Sequence, residues 1–298
     1  MGKNIYSLEF DQPKGNYLGS QLKEIIEFLQ FLKSNPREKE FVISLSKIKF
    51  VHPLFILAIA SLKDYLEGQG FIIHTKFPFW ENCSSYIKRI YFPYGLKPDD
   101  LENWNDLLDR YRKKTYLPIL NFSTEKGDIS TTIRERVLSK INTLVNDNLN
   151  LDNNYEAAVS YLISEITDNI VEHSGINRGW LLIQYYPTTE YLDICIIDTG
   201  KTLLGSYKDH NVEDIDTHEK ALNAAIQGIS TKDVERGTGI RTSKAISSLG
   251  LKGDFTIFSG SSIYYNNRII NLEVEWPGTF VAIRIKKGIE NFSIYTYV

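Results

Sequence analysis

Cysteine is nearly missing: Cys83 and Cys195 are the only two in 298 residues. No disulfide framework can hold the chain, and a reducing compartment is the expected setting. Cys195 lies within an apolar run and reads as a small core residue. Long hydrophobic runs are missing too. The longest, 53–62, falls far short of the ~20 residues that span a bilayer. The N-terminus lacks the basic-then-apolar layout of a signal peptide, so a cytoplasmic protein with no membrane attachment is expected. Neither charge sign dominates: a formal net charge of −3 argues against a nucleic-acid surface. The basic cluster Arg110, Arg112, Lys113 and Lys114 reads as a solvated helix face. No internal repeat is visible, which excludes a solenoid. What remains is an ordinary globular composition, 42% hydrophobic and 24% charged, at a length that suggests about two domains.

The first part alternates strand and helix. The pattern predicts a strand at 5–10, an amphipathic helix at 18–33, a strand at 41–45, a helix at 53–67 and a strand at 71–75. Gly68 and Gly70 stop the second helix, and the alternation predicts an α/β layer. From 80 to 114 aromatics and prolines interleave, and only a helix near 99–114 is predicted. The stretch 117–128, with Pro118 and Gly127, is the expected boundary.

Beyond it, Thr132 and Glu135 form a capping box for a helix to 148, and Asn153 with Glu156 starts another to 173. Strands at 180–186 and 191–197 follow, then a polar, irregular stretch to 236. A helix at 238–249 ending at Gly250, a strand at 254–259, a hairpin turn at Asn266-Asn267 and a strand at 279–286 complete the pattern. The expected fold class is α+β. A mixed, mostly antiparallel sheet with helices on one face occupies 130–288. A smaller α/β regulatory domain precedes it at 1–118, with a linker at 119–129 and a tail at 289–298.

Three short pieces carry chemistry. In the helix ending at His173, the residues Val159, Leu162, Ile166 and Ile170 make a buried stripe. Beside it, Glu165, Asn169 and His173 recur every four residues and share one face. Asn169 offers the neutral oxygen that Mg2+ accepts, and Glu165 can polarise a water for attack on a phosphoryl group. Taken alone, this face reads more readily as the solvated side of an amphipathic helix. Asp198 leaves an apolar strand into Thr199 and Gly200, where α/β sheets place ligands beyond their strand ends; a plain Asp-x-Gly turn fits as well. Gly237-Thr238-Gly239 opens a helix, where freed backbone N–H groups favour phosphate; a flexible helix entry is the plainer reading.

Together, in this order and on these element types, the pieces resemble the gyrase, histidine-kinase and mismatch-repair ATPase superfamily, the Bergerat fold. The match consists of EITDNIVEHS, IIDTG, GISTKDVERGTGIRTSKAISSLGLKGDFTIFSG and GTFVAIRI, spread over about 130–287. The resemblance implies ATP with Mg2+ as cofactors. It implies Asn169 as the magnesium ligand, Glu165 as the catalytic base, and Asp198 as the reader of adenine, with Gly200 beneath the ring. Gly237, Thr238 and Gly239 match the phosphate loop, and Thr279 matches a hydroxyl near the base. The span 201–236 matches the ATP lid, with Lys232 or Arg236 reaching the terminal phosphate. Thr202 departs from the pattern, which has a glycine there.

None of the five histidines is followed by an acid and then a proline, and Glu165 stands where histidine kinases tend to have Asn. Both features argue against autophosphorylation on histidine. The run FVISLSKIKFVHPLFILAIASLKDYLEGQGFIIHTK faintly resembles a STAS domain, the fold of anti-sigma antagonists, but with His52-Pro53-Leu54 where a phospho-accepting Ser or Thr would stand. Three functions stay open. The first is an ATPase acting as a signalling or regulatory switch. The second is a serine/threonine protein kinase of anti-sigma type acting on a protein partner, and the third a non-hydrolysing ATP-gated interaction module. A homodimer is an open option.

Overall fold

The computed structural model describes residues 6–229 and 238–298. The first part builds a parallel three-stranded sheet. Strand β1 (Tyr6–Glu9) leads to helix α1 (Leu22–Ser34), β2 (Glu40–Ser44), α2 (Pro53–Gly68) and β3 (Ile72–Lys76), in the spatial order β1-β2-β3. Each element lies within a few residues of its predicted place. Pro53 sits in the first turn of α2, where its missing N–H costs nothing.

The stretch from 80 onward holds three elements, one of which the sequence pattern did not predict. Helix α3 (Glu81–Arg89) is new, and a 3-10 turn (Pro98–Asp100) with α4 (Trp104–Asp109) replaces the predicted helix at 99–114. The expected linker contains strand β4 (Leu120–Ser123), which is buried throughout and pairs antiparallel with β5 (Arg178–Tyr186). Packing does not break at 118 either. Leu96, Leu108 and Tyr111 join the core of the following helices α5 (Asp128–Leu149) and α6 (Asn153–His173). Ile294 of the expected tail joins the same core.

Helix α5 begins at Asp128, without a side-chain cap, so the predicted capping box at Thr132 is not its start. Helix α6 is capped one residue earlier than predicted: the Asp152 carboxylate accepts the Asn154 and Tyr155 amides at 3.0 and 3.1 Å. Strand β6 (Tyr191–Ile197) follows β5. The expected irregular stretch then holds two helices, α7 (Leu203–Asp209) and α8 (His218–Gln227), capped by Thr202 and Thr217. Helix α9 (Gly239–Ala245) runs into a π turn (Ile246–Gly250), and β7 (Asp254–Tyr265) and β8 (Arg268–Lys286) form one long hairpin. Its turn residues Asn266 and Asn267 take φ of 48° and 60°, as an Asn-Asn turn of the hairpin type requires.

The second sheet has the order β4-β5-β6-β8-β7 and is antiparallel throughout. It is covered on both faces, not one. Leu181, Ile183, Ile194, Ile196, Val281 and Ile283 face the core of α5 and α6. The alternate residues Trp180, Leu182, Cys195, Ile197, Phe280 and Ala282 face the core shared with α1 and α2. Helix α2 is therefore enclosed between two sheets. Twelve of its sixteen residues are buried, which is why its sequence is apolar all round. On this face Arg284 grips Asp193 bidentately at 2.6 and 2.7 Å and donates to the Asn16 carbonyl at 2.9 Å. Among the described residues, no helix is long and apolar enough to cross a membrane.

Candidate functional site

An open cleft lies on the α6 side of the second sheet, concave and walled by apolar side chains with a few polar groups among them, as small-molecule sites are. Asn169, Asp198, Gly239 and Thr279 all line it, with Ile166, Ile170, Ile196 and Val281 as apolar walls. Residues up to 115 positions apart thus converge. The apolar columns of β6, β8 and β7 end together in a polar row. Asp198 follows the last residue of β6, and its N–H donates to the Thr279 carbonyl at 2.8 Å. Thr279 is opposite Ser259 in the β7–β8 register.

Asp198 is 3% exposed. Burial pushes its carboxyl up from 3.8 to about 7, against the pull of backbone hydrogen bonds from Gly200 and Thr279. The Gly200 N–H donates to Asp198 Oδ1 at 2.8 Å, and on the far face of the sheet the Trp276 indole N–H donates to the Asp198 carbonyl at 3.1 Å. Gly278, with φ of +94°, is pressed so closely that a Cβ would stand 2.4 Å from Asp198 Oδ1. Gly200 is tight for a different neighbour: its Cβ would meet the Ser174 carbonyl oxygen at 2.2 Å. Glycine at 200 is therefore required by the end of α6.

Glu165 and Asn169 face α9. A Cβ on Gly239 would lie 2.1 Å from Glu165 Oε2 and 3.7 Å from Asn169 Nδ2, so the helix start approaches both side chains as closely as a glycine allows. Among the described residues, Asn169 Nδ2 is buried without a hydrogen-bond partner. His173 also lines the cleft and meets the His210 ring edge-on at 5.7 Å. Thr238 precedes α9 without a side-chain cap. Gly237, Lys232 and Arg236 lie outside the described residues.

Thr202 finds a use that the glycine of the pattern could not serve: its hydroxyl accepts the Gly205 amide at 3.2 Å and caps α7. That helix brings Leu203, Ser206 and Tyr207 into the cleft wall, with Lys201 just before it. None of these was singled out from sequence. The readable signal was Thr202 followed by Leu203, Leu204 and Tyr207 at helical spacing. Ser259 was passed over as the end of a strand, yet its hydroxyl contacts Leu203 N, the Gly278 carbonyl oxygen and Thr279 Oγ1 at 2.8, 3.0 and 2.9 Å. Among the described residues, no three His, Cys, Asp or Glu gather to hold a metal. The chain matches no family model, no curated protein and no solved structure.

Proposed function

We propose that the cleft binds ATP with Mg2+ and that the protein hydrolyses it, serving as a nucleotide-driven signalling or regulatory switch. The observation that carries this reading is Asp198, a buried carboxylate at the floor of an open cleft with its carboxyl held near neutrality. Such a group costs folding energy and calls for a donor. The exocyclic amine of adenine supplies one, and the apolar walls from Ile166, Ile170, Ile196 and Val281 suit a purine ring.

Asn169 fits the magnesium role. Turning its amide over exchanges the unpartnered Nδ2 for a neutral oxygen, the ligand type Mg2+ takes through few protein contacts. Bound Mg2+ supplies charge neutralisation on the phosphates. Glu165, one helical turn from Asn169, orients and deprotonates the attacking water. The glycine at 239 leaves room for that carboxylate beside the start of α9.

Calorimetric titration with Mg-ATP, followed by incubation with gamma-labelled ATP, tests this. The protein should bind ATP and release labelled phosphate. Glu165→Ala should bind with unchanged affinity and lose turnover by roughly 10²–10⁴-fold. Label on an added protein would favour the kinase reading, and binding without label transfer would favour the non-hydrolysing module. No binding heat with ATP would sink the nucleotide reading altogether.

A further inference from the structure

The Ser259 hydroxyl has three polar neighbours and one proton. It is 2% exposed, behind Thr279, with Leu203 N at 2.8 Å, the Gly278 carbonyl oxygen at 3.0 Å and Thr279 Oγ1 at 2.9 Å. A serine hydroxyl offers one proton and two lone pairs. The Leu203 N–H can only donate, so it occupies one lone pair. The Gly278 carbonyl can only accept, so it takes the proton. The third contact then has one solution, in which Thr279 donates into the remaining lone pair of Ser259.

We propose that Ser259 is a positioning residue that sets ligand specificity by fixing the polarity of Thr279, which is left to face the cleft as an acceptor only. Asp198, next in the same row, is an acceptor when ionised. Two adjacent acceptors favour a purine edge that carries an exocyclic amine. They reject one with a carbonyl at that position, where oxygen would face oxygen with no proton between. An unpaired polar group of this kind is the strongest basis for discrimination a site can have. The proposal rests on the nucleotide reading and deepens it to a 6-aminopurine selected over a 6-oxopurine.

The test compares ATP with inosine triphosphate, its 6-oxo counterpart, by calorimetry at pH 8.5, above the raised range of Asp198. The unsubstituted protein should prefer ATP by roughly tenfold or more, the scale of one well-placed hydrogen bond. In Ser259→Ala, Thr279 regains a proton to give, and the preference should fall several-fold through tighter inosine triphosphate binding. Adding Thr279→Val should abolish that gain. If Ser259→Ala weakens both ligands alike and leaves their ratio unmoved, the residue is merely structural and the proposal is overturned. If ATP does not bind the unsubstituted protein, the nucleotide reading fails instead. The polarity is then decided on the ligand-free protein by neutron diffraction. A Thr279 proton lying between its oxygen and Ser259 supports the assignment, and one pointing into the cleft overturns it.

Discussion

Asp198 is destabilising by construction at neutral pH. Its carboxyl is held at about 7 in the folded protein against an ordinary value of 3.8. The folded state therefore binds more protons than the unfolded one between those values. Stability falls as pH rises from about 4 to 7 and stays lower above, by up to about 4 kcal/mol. Asp198→Asn keeps an oxygen for the Gly200 N–H and carries no charge. We expect it to melt several degrees above the unsubstituted protein at pH 8, close to it at pH 4, and to lose ATP affinity. Equal melting at pH 8 would show that the carboxylate is already relieved. Its position was legible in the sequence, where an acid closes an apolar strand just before a glycine, but that pattern alone fits a plain turn equally well. Ser259 and Gly278 were not legible, because their importance comes from β7 and β8 meeting, and no local pattern records which strands become neighbours.

At the scale of elements, the site depends on α9 reaching α6. Gly239 permits that approach, so Gly239→Ala must displace either the helix start or Glu165. The atom met is the free end of the Glu165 side chain, so the cost in stability is small while the carboxylate is displaced. If the cleft binds ATP as proposed, turnover should fall far more than ATP affinity, since the polar row on β6, β8 and β7 is untouched. An affinity loss as large as the turnover loss, measured by calorimetry beside phosphate release, would contradict this. Helix α6 could be read in advance from its apolar stripe, though its cap, Asp152, lies one residue before the predicted start, and β6 from its nearly unbroken apolar run. Helices α7 and α8 could not. They are short and rich in Lys, Asp, Asn and His, and their apolar residues Leu204, Tyr207, Ala221 and Ala224 form only a small core of their own. The second cover on the sheet had a readable sign that was missed. Strands such as YLDICII are apolar at odd and even positions alike, which a sheet solvated on one face does not need.

For the molecule as a whole, the two predicted domains share one wall. Phe28, Phe41 and Phe55 of the first part belong to the same cluster as Trp180, Trp276 and Phe280 of the second. A fragment beginning at 119 would uncover that face, including two tryptophans that are at most 1% exposed. It should bind a hydrophobic dye and lose near-ultraviolet circular dichroism, as loosely packed states do. A fragment that is monomeric, dye-silent and cooperatively melting would show that the face stands alone.

The enclosure of α2 between two sheets also imposes an order in time. On the ribosome this helix emerges well before β5, β6 and β8, the strands that make its second wall. At ordinary rates of synthesis the delay is on the order of ten seconds, far longer than a helix needs to form. During that interval an apolar rod of sixteen residues is covered on one side only. The nascent first half thus presents an uncovered apolar face until the second half arrives to shelter it.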